Sequence, residues 1–90
     1  MEMNEIERDV IRFLSLKLGV DESEVVPEAS LDWDLGCDPL DIAEIVVDSE
    51  LEFGIDLPDE VADRFSDQDL PSPTVRDLVQ AITKEIMAMG

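Results

Sequence analysis

The sequence predicts an all-α fold, a bundle of three main helices plus one short helix. Apolar residues recur at steps of three and four in separate segments, as they do on the buried face of a helix. Residues that favour helix starts and helix ends flank those segments, and no useful strand-like alternation is present. The 90 residues suffice for one small domain, so we expect a single domain over residues 1–90.

The first helix is predicted to follow Asn4, a suitable N-cap residue, and to end at Leu18 before Gly19. Its apolar face is formed by Ile6, Val10, Phe13, Leu14 and Leu18. A long connection follows over residues 20–37, because Pro27 and Gly36 disfavour a continuous helix. Its apolar residues should attach it to the core: Val20, Val25, Val26, Leu31 and Leu35.

The second helix is predicted to start at Asp38, with Pro39 in the first helical position and Gly54 as its stop. Its buried face is formed by Ile42, Ile45, Val46, Ser49 and Phe53. The short helix is predicted over Asp59–Phe65, and a polar loop follows over residues 66–73. The last helix should start at Thr74, with Asp77 completing a partial capping box, and should fray from Met87 onward.

The charge of the chain excludes several classes of partner. There are 24 acidic and 6 basic residues, which give a formal net charge of −18. Nucleic-acid phosphates and anionic lipids would be repelled, so we expect neither a nucleic-acid partner nor a membrane partner. A protein with a basic surface is the natural complement. We also expect a monomer.

The residue types exclude most enzyme chemistry. The chain has no histidine and one cysteine, Cys37, so it can build neither a Ser-His-Asp or Cys-His nucleophile nor a Cys/His zinc site, nor an intramolecular disulfide. We expect no enzyme activity and no specific metal site. The N-terminus is acidic and lacks an apolar signal segment, and no apolar run reaches transmembrane length, so we expect a cytoplasmic protein.

Acidic residues on the second helix form a stripe on the side opposite its apolar face. Its members, called the acidic stripe below, are Asp41, Glu44, Asp48 and Glu52. No Lys or Arg occurs between Lys17 and Arg64, so we expect the stripe to lack a nearby cation and to bind a basic partner. Val47 is apolar but points to the stripe side. Trp33 is either packed on its own loop or an aromatic anchor for a partner beside the stripe.

The turn before the second helix resembles the Asp-Leu-Gly-x-Asp-Ser-Leu signature of acyl carrier proteins, here Asp34-Leu35-Gly36-Cys37-Asp38-Pro39-Leu40. Other segments that resemble this family are Leu18-Gly19-Val20, Ala29-Ser30-Leu31, Glu50-Leu51-Glu52-Phe53 and Ile55-Asp56-Leu57-Pro58-Asp59-Glu60. The resemblance covers nearly the whole chain. It implies the family's helical bundle and basic partners such as acyl-transfer and fatty-acid or polyketide synthesis enzymes.

The resemblance also locates the family's cofactor site and shows what is missing from it. In acyl carrier proteins the serine between Asp and Leu carries 4′-phosphopantetheine through a phosphodiester, and here Pro39 lies between Asp38 and Leu40. Proline has no hydroxyl, so no cofactor is expected at this position. Cys37, Ser30 and Ser49 are the nearest other acceptors, and neither serine has the required Asp before it and Leu after it. Cys37 is expected to act as a small buried hydrophobe with a raised pKa.

Three functions remain open at this stage. The first is a carrier-like protein that docks the acidic stripe and Val47 on a basic partner without a covalent arm, with Leu40 and Trp33 at the edge of the contact. The second is a serine-lacking variant of a specialised carrier that shuttles thioester-bound acyl groups. The third is a non-covalent lipid binder, although an ordinary filled core fits the same residues. The lipid cavity would be lined by Phe13, Ile42, Val46, Phe53, Val61 and Phe65.

Overall fold

The computed structural model describes residues 3–89, which form four α-helices: α1 (Met3–Leu18), α2 (Pro39–Phe53), α3 (Asp59–Ser66) and α4 (Val75–Met89). The all-α prediction is confirmed. A 3₁₀ turn over Glu22–Glu24 interrupts the long connection and was not predicted. In this range, no helix has the length and apolar character needed to cross a membrane.

Local signals place most helix ends correctly. Asp38 is the N-cap of α2, and Gly54 ends that helix with a left-handed φ of 65°, a conformation that glycine adopts without steric cost. Thr74 and Asp77 form a full capping box at α4: each backbone N–H donates to the other's side chain, at 2.9 and 3.2 Å.

Three predicted helix ends are wrong. Asn4 does not cap α1, because the helix already includes it. The short helix α3 ends at Ser66, one residue later than predicted. The predicted fraying from Met87 is also wrong, since α4 stays helical through Met89; Gly90 lies outside the described residues.

The core is aliphatic and lies between α1, α2 and α4, with α3 packed on α2. The side chains with no exposed surface include Ile6, Val10, Leu14, Leu31, Ile45, Val75, Leu78 and Ile82. Phe13 and Phe53 are half-buried at the edge of this core and meet edge to face, with ring centroids 6.1 Å apart. Burial of these apolar faces, rather than helix propensity, stabilises helices of this length.

The long connection is attached to the start of α4 and so positions the turn that leads into α2. The Leu31 N–H donates to the Pro73 carbonyl and the Val75 N–H donates to the Ala29 carbonyl, both at 2.9 Å. Ser30 and Thr74 form an isolated antiparallel bridge. Of the apolar residues predicted to attach the connection, Val25 and Leu31 are buried and Val20 and Leu35 half-buried, whereas Val26 is 44% exposed.

Candidate functional site at the start and outer face of α2

The turn before α2 is held by backbone bonds. The Cys37 N–H donates to the Leu31 carbonyl at 2.9 Å, and the Gly36 N–H donates to the Asp32 carbonyl at 3.0 Å. Gly36 has a φ of 75°, which a residue with a Cβ rarely adopts. These restraints fix the direction from which the chain enters α2.

Asp38, Pro39 and Leu40 are exposed at the start of α2. The Asp41 N–H donates to Asp38 Oδ1 at 2.8 Å, and the Asp38 N–H donates to Asp41 Oδ2 at 3.1 Å, so each carboxylate caps the other's backbone. Pro39 occupies the first helical position, where a missing N–H leaves no helical bond unmade. The site has the geometry of a capped helix start and presents no hydroxyl at Pro39.

The three other acceptors near Pro39 are occupied or buried. The Ser49 Oγ–H donates to the Ile45 carbonyl at 2.6 Å, and Ser49 has no exposed surface. The Ser30 hydroxyl accepts from the Asp34 N–H at 3.1 Å and lies 3.2 Å from the Asp34 carboxylate. Burial, reinforced by nearby Asp carboxylates, raises the pKa of the Cys37 thiol to about 11. Cys37 is 5% exposed, so its thiol is both covered and neutral at ordinary pH.

The acidic stripe has a cation beside it, contrary to the prediction. Lys17 Nζ, from the end of α1, donates to the Asp48 carboxylate and lies 4.0 Å from Glu44 Oε2. The hydrogen bond to Asp48 and the surrounding carboxylates raise the pKa of Lys17. The sequence did not show this pair because Lys17 and Asp48 are 31 residues apart and meet only when α1 packs near α2. One cation therefore partly neutralises the middle of the stripe.

The outer face of α2 also carries exposed apolar side chains. Leu40, Val47 and Leu51 are 66%, 54% and 78% exposed. Their spacing of seven and four places them in one row beside the acidic stripe. Sequence reasoning identified Leu40 and Val47 but missed Leu51, although the same spacing could have found it. Trp33 is 87% exposed, which excludes the prediction that its ring packs on the loop.

The predicted lipid-cavity residues do not surround one cavity. Ile42 and Phe65 line a cleft of about 230 Å³ that also touches Cys37 and Pro39. Phe13 and Phe53 line a separate groove of about 620 Å³. Val46 is buried in the core, and Val61 lies on a third cleft, between α3 and α4. In this structure these residues line separate surfaces, which favours the filled-core alternative over a single lipid cavity.

The described residues contain no group of three or more Cys, Asp or Glu side chains placed to hold a metal ion. Within the acidic stripe, Glu44 and Glu52 are exposed, so their carboxylates can meet cationic side chains of a partner. Together with the adjacent apolar row, the stripe can provide steering charges and a surface to bury on contact with a partner.

The chain is similar in sequence to known proteins of one family. The family described as a phosphopantetheine attachment site matches residues 8–82, a range that runs from α1 into α4. An acyl carrier protein of Thermotoga maritima is 43% identical over 82 residues, covering 91% of this chain and 93% of its own length. An acyl carrier protein of Rubrobacter xylanophilus is 42% identical over 66 residues, covering 73% of this chain and 82% of its own.

Proposed function

The chain belongs to the acyl carrier protein family, and on that premise we propose that it is a docking protein that carries no 4′-phosphopantetheine at Pro39. Proteins of this family are carriers rather than enzymes, and they interact with fatty-acid synthesis enzymes. In this proposal the chain is one cytoplasmic domain over residues 1–90. It keeps the family's docking surface and lacks the attachment group.

The observation that carries this proposal is the placement of Pro39. Asp38 precedes it as a well-formed N-cap and Leu40 follows it with 66% of its surface exposed, so the position expected for the family's serine is accessible. A phosphodiester needs a hydroxyl oxygen, and proline offers neither a hydroxyl nor an N–H. No rearrangement of the chain supplies the missing atom.

The partner would meet the outer face of α2. Its cations would approach the acidic stripe, and its apolar side chains would cover Leu40 and Val47. Trp33 would lie at the edge of the interface, where an exposed aromatic ring can act as an anchor. The net charge of −18 would accelerate encounter with a basic surface and make association sensitive to salt.

Intact mass spectrometry tests the cofactor part of this proposal. The wild-type chain, Pro39→Ser and Pro39→Ala are incubated with coenzyme A and a permissive phosphopantetheinyl transferase. We expect Pro39→Ser alone to gain the mass of one phosphopantetheine, because only that variant provides a hydroxyl. Pro39→Ala is the matched control, since it also removes the proline ring but adds no acceptor.

Two outcomes would count against it. A mass gain on the wild-type chain would show that another side chain accepts the arm, and peptide mapping of Ser30, Cys37 and Ser49 would then locate it. A folded Pro39→Ser variant that every transferase ignores would show that this position is not equivalent to the family's serine.

Charge reversal tests the docking part. Glu44→Lys changes the acidic stripe, whereas Glu22→Lys makes the same charge change in the 3₁₀ turn. A purified fatty-acid synthesis enzyme with a basic surface is the partner, and its affinity is measured at low and high salt. We expect Glu44→Lys to weaken binding much more than Glu22→Lys. Equal effects would indicate only net charge and would contradict docking through the stripe.

The second candidate, a serine-lacking variant of a specialised carrier, is favoured by the intact helix start around Pro39. It predicts that modified Pro39→Ser accepts an acyl group as a thioester and passes it to a synthesis enzyme. A modified variant that is never acylated would contradict this candidate and leave the docking proposal unchanged.

A further inference from the structure

A second exposed apolar surface lies at the C-terminal end of α2, whereas Pro39 lies at its start. It is a groove of about 620 Å³ between α1 and the last turns of α2 and α4. This surface is called the end groove. It is lined by Asp9, Arg12, Phe13, Leu16, Glu52, Phe53, Ile86 and Met89.

Large apolar side chains line the end groove and its rim. Leu16 is 78% and Met89 69% exposed at its rim, while the half-buried rings of Phe13 and Phe53 pack edge to face. A smaller recess, also lined by Phe13 and Leu16, extends it to Leu51 on the outer face of α2. Large apolar side chains grouped in one concave surface indicate an interaction site more strongly than scattered ones do.

The charges around the groove indicate the chemistry of the occupant. On the α2 side it is bordered by Glu52, a member of the acidic stripe, and on the α1 side by the oppositely charged Asp9 and Arg12. In the adjoining recess Asp48 is already paired with Lys17, so Glu52 is the carboxylate of the stripe that a partner cation can reach here. Leu51 lies one helical turn after Val47, so the apolar row of α2 leads directly to the groove. An occupant that continues from the stripe would therefore present apolar side chains to the floor and cations to the α2 wall.

We propose that the end groove binds an amphipathic helix with a basic flank, supplied by the same partner that meets the acidic stripe. An amphipathic helix in an apolar groove is a common mode of protein recognition. The inference rests on the proposed function for the basic character of the partner, but it uses different residues. It is independent of whether Pro39 can be modified.

A second copy of this chain is a poor occupant. Each copy carries a formal charge of −18, so two copies would repel each other as they approach. An anionic lipid surface is disfavoured for the same reason. A cationic helix has its charge attracted by the stripe and its apolar side covered by the groove.

The test uses a synthetic amphipathic peptide of leucine and lysine, titrated into the isotopically labelled chain and followed by backbone amide chemical shifts. A peptide of the same composition, with the leucines scattered around the helix, is the control ligand. We expect the amphipathic peptide to shift residues of the end groove, and the scattered peptide to bind more weakly. The double variant Leu16→Gln, Met89→Gln should weaken binding about tenfold or more, as expected for the loss of two exposed apolar contacts.

Leu70→Gln is the matched control variant, because Leu70 is an exposed apolar residue (44%) in the loop between α3 and α4. It should leave the affinity unchanged. Shifts confined to the acidic stripe, or equal affinity for both peptides, would overturn the inference and leave the proposed function standing. Loss of binding in Glu44→Lys but not in the groove variant would overturn it in the same way. A dimer that the groove variant abolishes would show a second copy as the occupant, which also contradicts the inference.

Discussion

The contact of Lys17 with the acidic stripe predicts that removing its charge lowers stability but raises the affinity for a basic partner. Lys17→Met keeps a side chain of similar length and removes its charge, so Asp48 loses its hydrogen-bond donor and Glu44 loses a cation 4.0 Å away. We expect the variant to be less stable than the wild-type chain. We also expect it to bind a basic partner more tightly, because the stripe gains one unneutralised carboxylate and the partner no longer competes with Lys17.

The size of the stability loss follows from exposure. The side chains of Lys17 and Asp48 are 21% and 40% exposed, so the pair is partly shielded but still hydrated. Such pairs contribute about 0.5–1 kcal/mol, toward the upper end of the range for surface ion pairs. For a chain of 90 residues this corresponds to a melting temperature lower by about 3–6 °C. The difference should shrink in high salt, which screens the pair.

Thermal unfolding at low and high salt is the assay, and Lys84→Met is the control. Lys84 is exposed on α4 and, among the residues described, takes part in no salt bridge, so its replacement should change the melting temperature little. Equal melting temperatures for the two variants would refute the reasoning. So would a zero coupling energy between Lys17→Met and Asp48→Asn in a double-mutant cycle.

The pH dependence provides an independent check of the same pair. The pKa of Lys17 is raised above 10.5 in the folded chain, so its contribution is fully present below about that pH and is lost as pH rises through the folded pKa. We expect the stability difference between wild type and Lys17→Met to be constant near neutral pH. It should close only in strongly alkaline solution, and closure on acidification to pH 6 would contradict the assignment.

Further predictions concern the start of α2 and the charge of the chain. Asp38→Ala should lower the free energy of unfolding by about 1 kcal/mol in urea denaturation, whereas Asp38→Asn, which can still cap, should lose much less. Cys37 should react with a thiol reagent far more slowly in the folded chain than in the denatured one, because burial raises its pKa from 9.0 to about 11; rapid reaction when folded would contradict that environment. Millimolar magnesium should raise the melting temperature by reducing self-repulsion, and an unchanged value would argue against that repulsion.

Local sequence signals were sufficient for most of the fold. The starts of α2 and α4 follow from Asp38 and Thr74, whose side chains cap a backbone N–H three residues later, and from Pro39 in the first helical position. These signals are local in sequence and do not depend on packing. The buried faces follow from helical spacing for the same reason. Asn4 is the exception, because α1 begins one residue earlier, at Met3, and includes Asn4.

The surface was predicted less completely because its features come from different helices. Lys17 reaches Asp48 across the packed bundle, and the end groove needs α1, α2 and α4 to converge. The spacing of residues within one helix does not show where that helix meets another. The same limitation applies to the residues considered for a lipid cavity: Phe13 and Ile42 both lie on predicted apolar faces, yet they line different clefts.

Pro39 separates the folding role of this position from its chemical role. In the first turn of a helix a residue must have a suitable φ and can do without an N–H, and proline meets both conditions. Proline also restricts the unfolded chain, so Pro39→Ser should cost about 0.4–1 kcal/mol of stability even while it supplies the hydroxyl for modification. A residue retained only to attach a cofactor would supply a hydroxyl and add no stability to the helix start. A Pro39→Ser variant no less stable than the wild-type chain in urea denaturation would contradict the stabilising role of proline at this helix start, whether or not that variant is modified.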